Sequence, residues 1–268
     1  VLSAFKRILG GKADGPSAAP VCVFILTYNR PLYLWACLDS LYRNTKYPAK
    51  FVLADNASSD PLVREVIRGF ERRGMFHAVY YCAENRTDRL KWMLEQHRGE
   101  LGEFFGFVEC DVAVRDSEEG WLAPMVRLMR ADPELWMLGS MIDKSDFVDP
   151  QFARTVDPAL TDEQVDFLVK AASPERQSVD TSRPLVEPHN PPMRLLLVRT
   201  RLLEQVVIRS DFEIYNDVKR LGHKAQIASG VVHRHLSLLN LFDYPGYDAA
   251  HREEWVEQLR RNDELTEL

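Results

Sequence analysis

The chain has 268 residues, 46% of them hydrophobic and 28% charged, with a formal net charge of −6. This is the balance of a globular protein whose core can stand without disulfide staples, and the mild acidity does not mark a nucleic-acid binder. No apolar run approaches the roughly 20 residues of a membrane-spanning helix, so no transmembrane segment is expected.

The chain starts at Val1 rather than Met, as a piece trimmed or cut from a longer chain does. Val1 to Gly11 is too short and weakly apolar for a signal peptide. Lys12 to Pro20 is rich in Gly, Ala, Ser and Pro, so residues 1–20 read as a flexible leader. The four cysteines, Cys22, Cys37, Cys82 and Cys110, form no C-x-x-C pair, and three lie in or beside apolar segments. They read as reduced structural thiols in a cytoplasmic protein, a peripheral contact with the inner face of a membrane being compatible.

From Val21 the pattern alternates between strand and helix. Val21 to Thr27 is a nearly continuous β-branched and apolar run, as expected of a buried parallel strand. Pro31 opens a helix with Leu34, Leu38 and Leu41 inward. Phe51 to Ala54 is a second strand, and Asp60-Pro61 caps and opens a helix with Val63, Val66, Ile67 and Phe70 inward. Ala78 to Cys82, Asp88 to Gln96 and Phe104 to Val108 continue the rhythm. Trp121 to Met129 reads as a helix and Leu135 to Met141 as a fifth strand. Repeated β-α units imply a parallel, doubly wound sheet, whose ligands bind beyond the carboxyl ends of the strands. The polar segments after Thr27, Ala54, Cys82 and Val108 should therefore gather on one edge.

The second half is less regular. A helix capped by Thr161, with Gln164 at the box position, is expected within the polar stretch from Asp143 to Pro192. Met193 to Val198 is a strand, Asp211 to Leu221 a helix ended by Gly222, and Ala225 to His233 a further strand. Residues 21–239 read as one domain and 240–268 as a helical extension, with a helix around Ala249 to Arg260.

Each polar loop has an ordinary reading. Thr27-Tyr28-Asn29-Arg30-Pro31 alone is a strand-to-helix turn capped by Asn29 or Arg30, and Asp55-Asn56-Ala57-Ser58-Ser59-Asp60 is a turn rich in Asn, Asp and Ser. Ser210-Asp211-Phe212-Glu213 has the form of a capping box. Glu109-Cys110-Asp111 is an acid pair of a common spacing. Their ordered placement at successive strand ends is the informative feature.

The set resembles the family 2 glycosyltransferases. That resemblance implies an α/β GT-A fold, with a Rossmann-like, mostly parallel sheet and helices on both faces. It also implies an inverting transferase that uses a nucleotide-diphosphate sugar, UDP-linked by default, and Mn²⁺ or Mg²⁺. Carried over, Thr27, Asn29, Arg30 and Asp55 hold the nucleotide, joined by Asn85 and Arg89 after the third strand. For Arg89 a solvated helix charge is the plainer reading.

Glu109-Cys110-Asp111 is similar to the family's D-x-D motif, with Glu in first place. Asp111 becomes the metal ligand and Glu109 the supporting acid at the nucleotide. Aligned on Gly222, Asp211 takes the place of the family's catalytic base, with Ser210 standing where the family has Glu. A family histidine that completes the metal site falls on His235, with His233 as second candidate. Strand alternation is expected to send only one of the two to the metal. The stiff Glu187-Pro188-His189-Asn190-Pro191-Pro192 segment implicates Glu187, His189 and Asn190 at the acceptor, a glycan, glycolipid or other hydroxyl compound in bacterial surface-glycan assembly.

Two rival readings carry their own discriminators. A sugar nucleotidyltransferase would release pyrophosphate from a nucleoside triphosphate, and it typically has a Gly-rich loop where Thr27-Tyr28-Asn29 stands. A non-catalytic sugar-nucleotide-binding module would not hydrolyse donor in an Asp111-dependent way.

Overall fold

Val21–Thr27 forms β1, and its placement explains the rest of the sheet. A strand apolar at nearly every position must be covered on both faces, and β1 is buried along almost its whole length. The computed structural model describes residues 19–143, 159, 161–162, 182–188, 194–208 and 211–236. β2 (Ala49–Asp55) and β3 (Phe76–Tyr81) extend the sheet from one side of β1, and β4 (Phe104–Glu109) pairs with its other side, all parallel. The crossovers are α1 (Pro31–Asn44), α2 (Pro61–Glu71) and α3 (Arg89–Gln96).

Beyond β4 come β5 (Val112–Val114), α4 (Leu122–Ala131), β6 (Leu135–Ile142), β7 (Leu185–Val186), β8 (Leu195–Arg199), α5 (Asp211–Arg220) and β9 (Lys224–His235). Among the described residues the sheet runs β3-β2-β1-β4-β8-β6-β9-β5, with β7 also on β9. It is parallel through β3-β2-β1-β4 and between β6 and β9. β8 is antiparallel to both β4 and β6, and the short β5 and β7 run antiparallel to β9. The Rossmann-like, mostly parallel sheet is thus present, and β8 is reversed where the regular β-α alternation lapses. Three-residue β5 and two-residue β7 are too short for alternation to disclose them.

Two apolar layers sandwich the sheet. Val21, Val23 and Ile25 face a cluster with Leu34, Leu38 and Leu41 of α1, Val63 and Ile67 of α2, and Leu122, Met125 and Met129 around α4. Cys22 and Phe24 face the opposite cluster, with Leu90, Met93 and Leu94 of α3 and Ile214 and Val218 of α5. The period-2 alternation of strand side chains sorts neighbours onto opposite layers, so helices cover both faces. Asp60 caps α2 as its sequence implies, accepting from the Leu62 N–H at 2.9 Å. Of the helix expected after Thr161, only Thr161 and Asp162 are described, and the leader to residue 18, the helix around 249–260 and the whole extension lie outside the described residues.

Candidate active site

The chain leaves β1 toward β2 on one side and later returns to β4 on the other. Such a switch opens a crevice beyond the carboxyl ends of the two strands, because their following loops diverge. The loop after β1 and the end of β4 carry the polar residues singled out above.

The first loop is built under local constraint. Asn29 and Arg30 both adopt positive φ, 44° and 93°. That tight reversal starts α1 at Pro31 directly after β1, with Arg30 as an N-cap that makes no side-chain capping bond. Asn29 fastens this turn to the loop after β2. Its N–H donates to Ser58 Oγ at 2.8 Å, and its Oδ1 accepts from the N–H groups of Ser59 (2.9 Å) and Asp60 (3.0 Å). Asp55 Oδ1 accepts from the Ser58 N–H at 3.0 Å, and the Asn56 N–H reaches the Thr27 carbonyl at 2.8 Å. Thr27, Asn29 and Asp55 are all buried. The Asn/Asp/Ser turn and the expected nucleotide loop are therefore one object, two loops stitched side by side.

A second knot ties on the loop after β3. Asn56 donates to Asn85 Oδ1 and to the Arg86 carbonyl, and its Oδ1 accepts from the Arg86 N–H and from Arg89 Nε. Arg89 also donates to the Glu84 carbonyl at 2.8 Å and is buried, so it is no solvated helix charge. Thr27, Asn29, Asp55, Asn85 and Arg89 are thus gathered on one edge, where Arg89 and Asn56 hold the loops in register.

The acids follow at the end of β4. Asp111 is buried, and its Oδ2 lies 3.2 Å from Arg30 Nη1 and 3.2 Å from His235 Nε2. Its Oδ1 is buried with no hydrogen-bond partner among the described residues. Glu109 Oε2 accepts from Arg194 Nη1 at 2.7 Å. Ligand atoms of Glu109, Asp111 and His235 lie within 4.8 Å of one another. Burial on its own would raise the Asp111 carboxyl, but His235, Arg194 and Arg30 outweigh it and hold the group well below the usual carboxylate range. Burial and the Arg194 charge push His235 down to about 4, so its imidazole is neutral at pH 7. Burial, with the Asp111 charge beside it, lifts the Cys110 thiol to about 11, and the cluster of ligand atoms is made by Glu109, Asp111 and His235 without it. An ionised carboxylate beside a neutral imidazole, with an unpartnered buried oxygen, fits a divalent cation of the Mn²⁺ class.

One sequence expectation needs correction. His233 and His235 are two residues apart and therefore share a face of β9; both are buried, while Arg234 between them is exposed. Distance along the strand separates them: His235 pairs in register with Val112 and reaches Asp111, whereas His233 Nδ1 lies 2.7 Å from Ser140 Oγ. Glu187 sits near Gln226 and Lys219, at the start of β9. His235 ends the same strand roughly 15–20 Å further along at ~3.3 Å per residue, because β9 advances only from opposite Gly139 to opposite Ile142 between Ile227 and His233. Glu187 is not brought to the acids. His189 and Asn190 lie outside the described residues, as does the side chain of Asp211, whose backbone begins α5.

Arg194 is the site residue that sequence reading missed. A parallel strand would put its first residues at the far edge of the sheet. Because β8 is antiparallel to β4, with Val108 opposite Leu195, its start lies beside Glu109 instead. A lone Arg before an apolar run gives no sign of that reversal.

Residues 22–156 match the family model described as Glycosyl transferase family 2. No curated protein matches the chain. Among solved structures it resembles the mannosyltransferase PcManGT from Pyrobaculum calidifontis in complex with GDP-Man and Mn²⁺, at 18% identity and a TM-score of 0.55 over 87% of this chain and 63% of that one. It also resembles GalNAc-T7 with UDP, GalNAc and Mn²⁺, at 14% identity and a TM-score of 0.53 over 81% and 44%. S. aureus TarS 1-349 follows at 15%, with a TM-score of 0.50 over 81% and 60%. The chain spans less than two thirds of each of these proteins, and the likeness is one of fold.

Proposed function

The chain belongs to glycosyl transferase family 2 and is a glycosyltransferase; from that premise we propose that it moves a sugar from a nucleotide-diphosphate donor to a hydroxyl acceptor, with inversion at the anomeric carbon. The observation that carries the reading is Asp111, a buried carboxylate at the switch-point edge with His235 beside it and Oδ1 unpartnered among the described residues. Thr27, Asn29, Arg30, Asp55, Asn85 and Arg89 form the nucleotide side of the same edge. UDP-sugars are the first donors to test, and a glycan or glycolipid hydroxyl in bacterial surface-glycan assembly is the acceptor class.

Asp111 and His235 would hold Mn²⁺ or Mg²⁺, with Glu109 supporting. Bound there, the ion would offset charge on the departing nucleoside diphosphate. The chain's own groups do the rest. The stitched loops after β1 and β2 fix the base and ribose. Arg30 and Arg194, which pair with Asp111 and Glu109, are of the right chemistry to take diphosphate oxygens in turn. Asp211 is the proposed general base, receiving the acceptor hydroxyl's proton as that oxygen attacks the anomeric carbon from the face opposite the leaving group.

The test is a thermal-shift panel of UDP, GDP, dTDP and CDP, with and without Mn²⁺, with NAD as control. A diphosphate at about 100 times its dissociation constant should add roughly 2.7 kcal/mol. Manganese-dependent stabilisation by one diphosphate is expected in the wild type and in Asp211→Asn, and should vanish in Asp111→Asn. Transfer should fall at least ~100-fold in both variants. An unshifted wild type, or an Asp111→Asn protein that still responds to Mn²⁺, would refute the site.

A further inference from the structure

A second group of metal-type ligands lies at the opposite edge of the sheet. His77 is near the start of β3, His97 is the C-cap of α3, and Glu100 closes the 3-10 turn Arg98–Glu100 that follows. Lys50, their neighbour, pairs in register with Cys22 near the start of β1, whereas the acids described above lie past the strand ends. The two groups therefore share no residue and no loop.

The geometry has three parts. Glu100 presents one oxygen to each imidazole, Oε2 at 2.7 Å from His77 Nε2 and Oε1 at 3.0 Å from His97 Nδ1, and one ligand atom from each residue lies within 4.8 Å of the others. Ligand atoms around a tetrahedral ion at ~2.0–2.1 Å stand roughly 3.3 Å apart, so small movements suffice to admit one. Next, the His97 ring is held in place. It is 4% exposed, touches Phe24 and Tyr80 edge-on, and its Nε2 lies 2.9 Å from the Tyr80 hydroxyl. The Tyr80 hydroxyl can accept from Nε2–H, and in that tautomer the Nδ1 lone pair is turned toward Glu100, as second-sphere partners of metal-bound histidines arrange it. Finally, the His77 and Glu100 side chains are about a third exposed, at 36% and 38%, which leaves room for water to complete the shell.

We propose that His77, His97 and Glu100 form a second divalent-metal site, selective for borderline ions such as Zn²⁺ or Co²⁺, that clamps the edge strand β3 to the end of α3. Two imidazoles and one carboxylate suit those ions, whereas Mg²⁺ and Ca²⁺ prefer oxygen. The competing occupant is Lys50, whose Nζ lies 2.8 Å from Glu100 Oε2. Its ammonium stands where an ion would add charge, and its partly exposed stem lets it swing into water.

The experiment titrates Co²⁺ into the Asp111→Asn protein, which silences the acid site, while following the visible absorption bands of cobalt, and then displaces the ion with Zn²⁺. One equivalent of Co²⁺ should bind, unaffected by excess Mg²⁺. Binding should weaken at least ~10-fold when His77→Ala or Glu100→Gln is added. It should tighten when Lys50→Met removes the competing charge, a change that loss of fold cannot mimic. Each added change falls on a partly exposed side chain, and circular dichroism checks that each protein is folded. Absence of cobalt bands in Asp111→Asn, or an isotherm unchanged by both His77→Ala and Glu100→Gln, overturns the proposal. So does a Lys50→Met protein that binds no tighter than its parent.

Discussion

At the scale of single residues, the acid site is an exchange of cations. Arg30 and Arg194 already stand against Asp111 and Glu109, so a divalent ion would enter a place whose charge is partly balanced. Removing one guanidinium should then act in opposite directions on the two ligands. Arg194→Ala is expected to bind Mn²⁺ more tightly, on the order of tenfold, because a like charge is gone. The same variant should bind the nucleoside diphosphate more weakly. Isothermal titration of each ligand separately would show whether the signs differ, and a parallel loss of both would remove Arg194 from the site. What the sequence disclosed here was polar punctuation. Thr27, Asp55 and Asp111 each close or follow an apolar strand, and β9 ends on His235. Arg194 stayed hidden because its position depends on strand direction, which no local pattern reports. The sharing of a face by His233 and His235 was available from spacing alone.

At the scale of elements, the loops after β1, β2 and β3 behave as one piece held by side-chain amides. Asn29 Oδ1 takes two backbone N–H groups ahead of α2, so Asn29→Ala should cost about 1–2 kcal/mol in urea unfolding, the scale of a lost cap. Retention of wild-type stability would show that water replaces the amide freely. Gly120 makes a comparable demand just before α4. Its φ is +71°, and a Cβ there would run into the Asn44 carbonyl at the end of α1. Gly120→Ala is therefore expected to cost about 2 kcal/mol or more, measured the same way. The helices and long strands were legible because their apolar periods are long and regular. β5 and β7 were not, since two or three residues hold no period; their pairing comes from β9, far along the chain.

At the scale of the whole molecule, the acid site is assembled from both halves of the chain. Arg30, Glu109 and Asp111 come before residue 156, where the family match ends, and Arg194 and His235 come after it. The sheet is interleaved in the same way, since β8 lies between β4 and β6 and β9 on the far side of β6. A fragment of residues 22–156 would leave β6 with neither of its strand partners. It is expected to show no cooperative thermal transition and no response to Mn²⁺, and a sharp two-state melt of that fragment would contradict this account of the fold. The interleaving also sets a clock for synthesis. β4 leaves the ribosome about 85 residues before its neighbour β8. At roughly 5–20 residues per second its open edge waits some 4–17 s for cover. During that interval a nascent chain displays the unpaired edge of an apolar strand, the form most prone to join another chain. The speed of elongation between β4 and β8 should therefore govern how much of this protein is recovered in native form, even though the finished molecule keeps no trace of the delay.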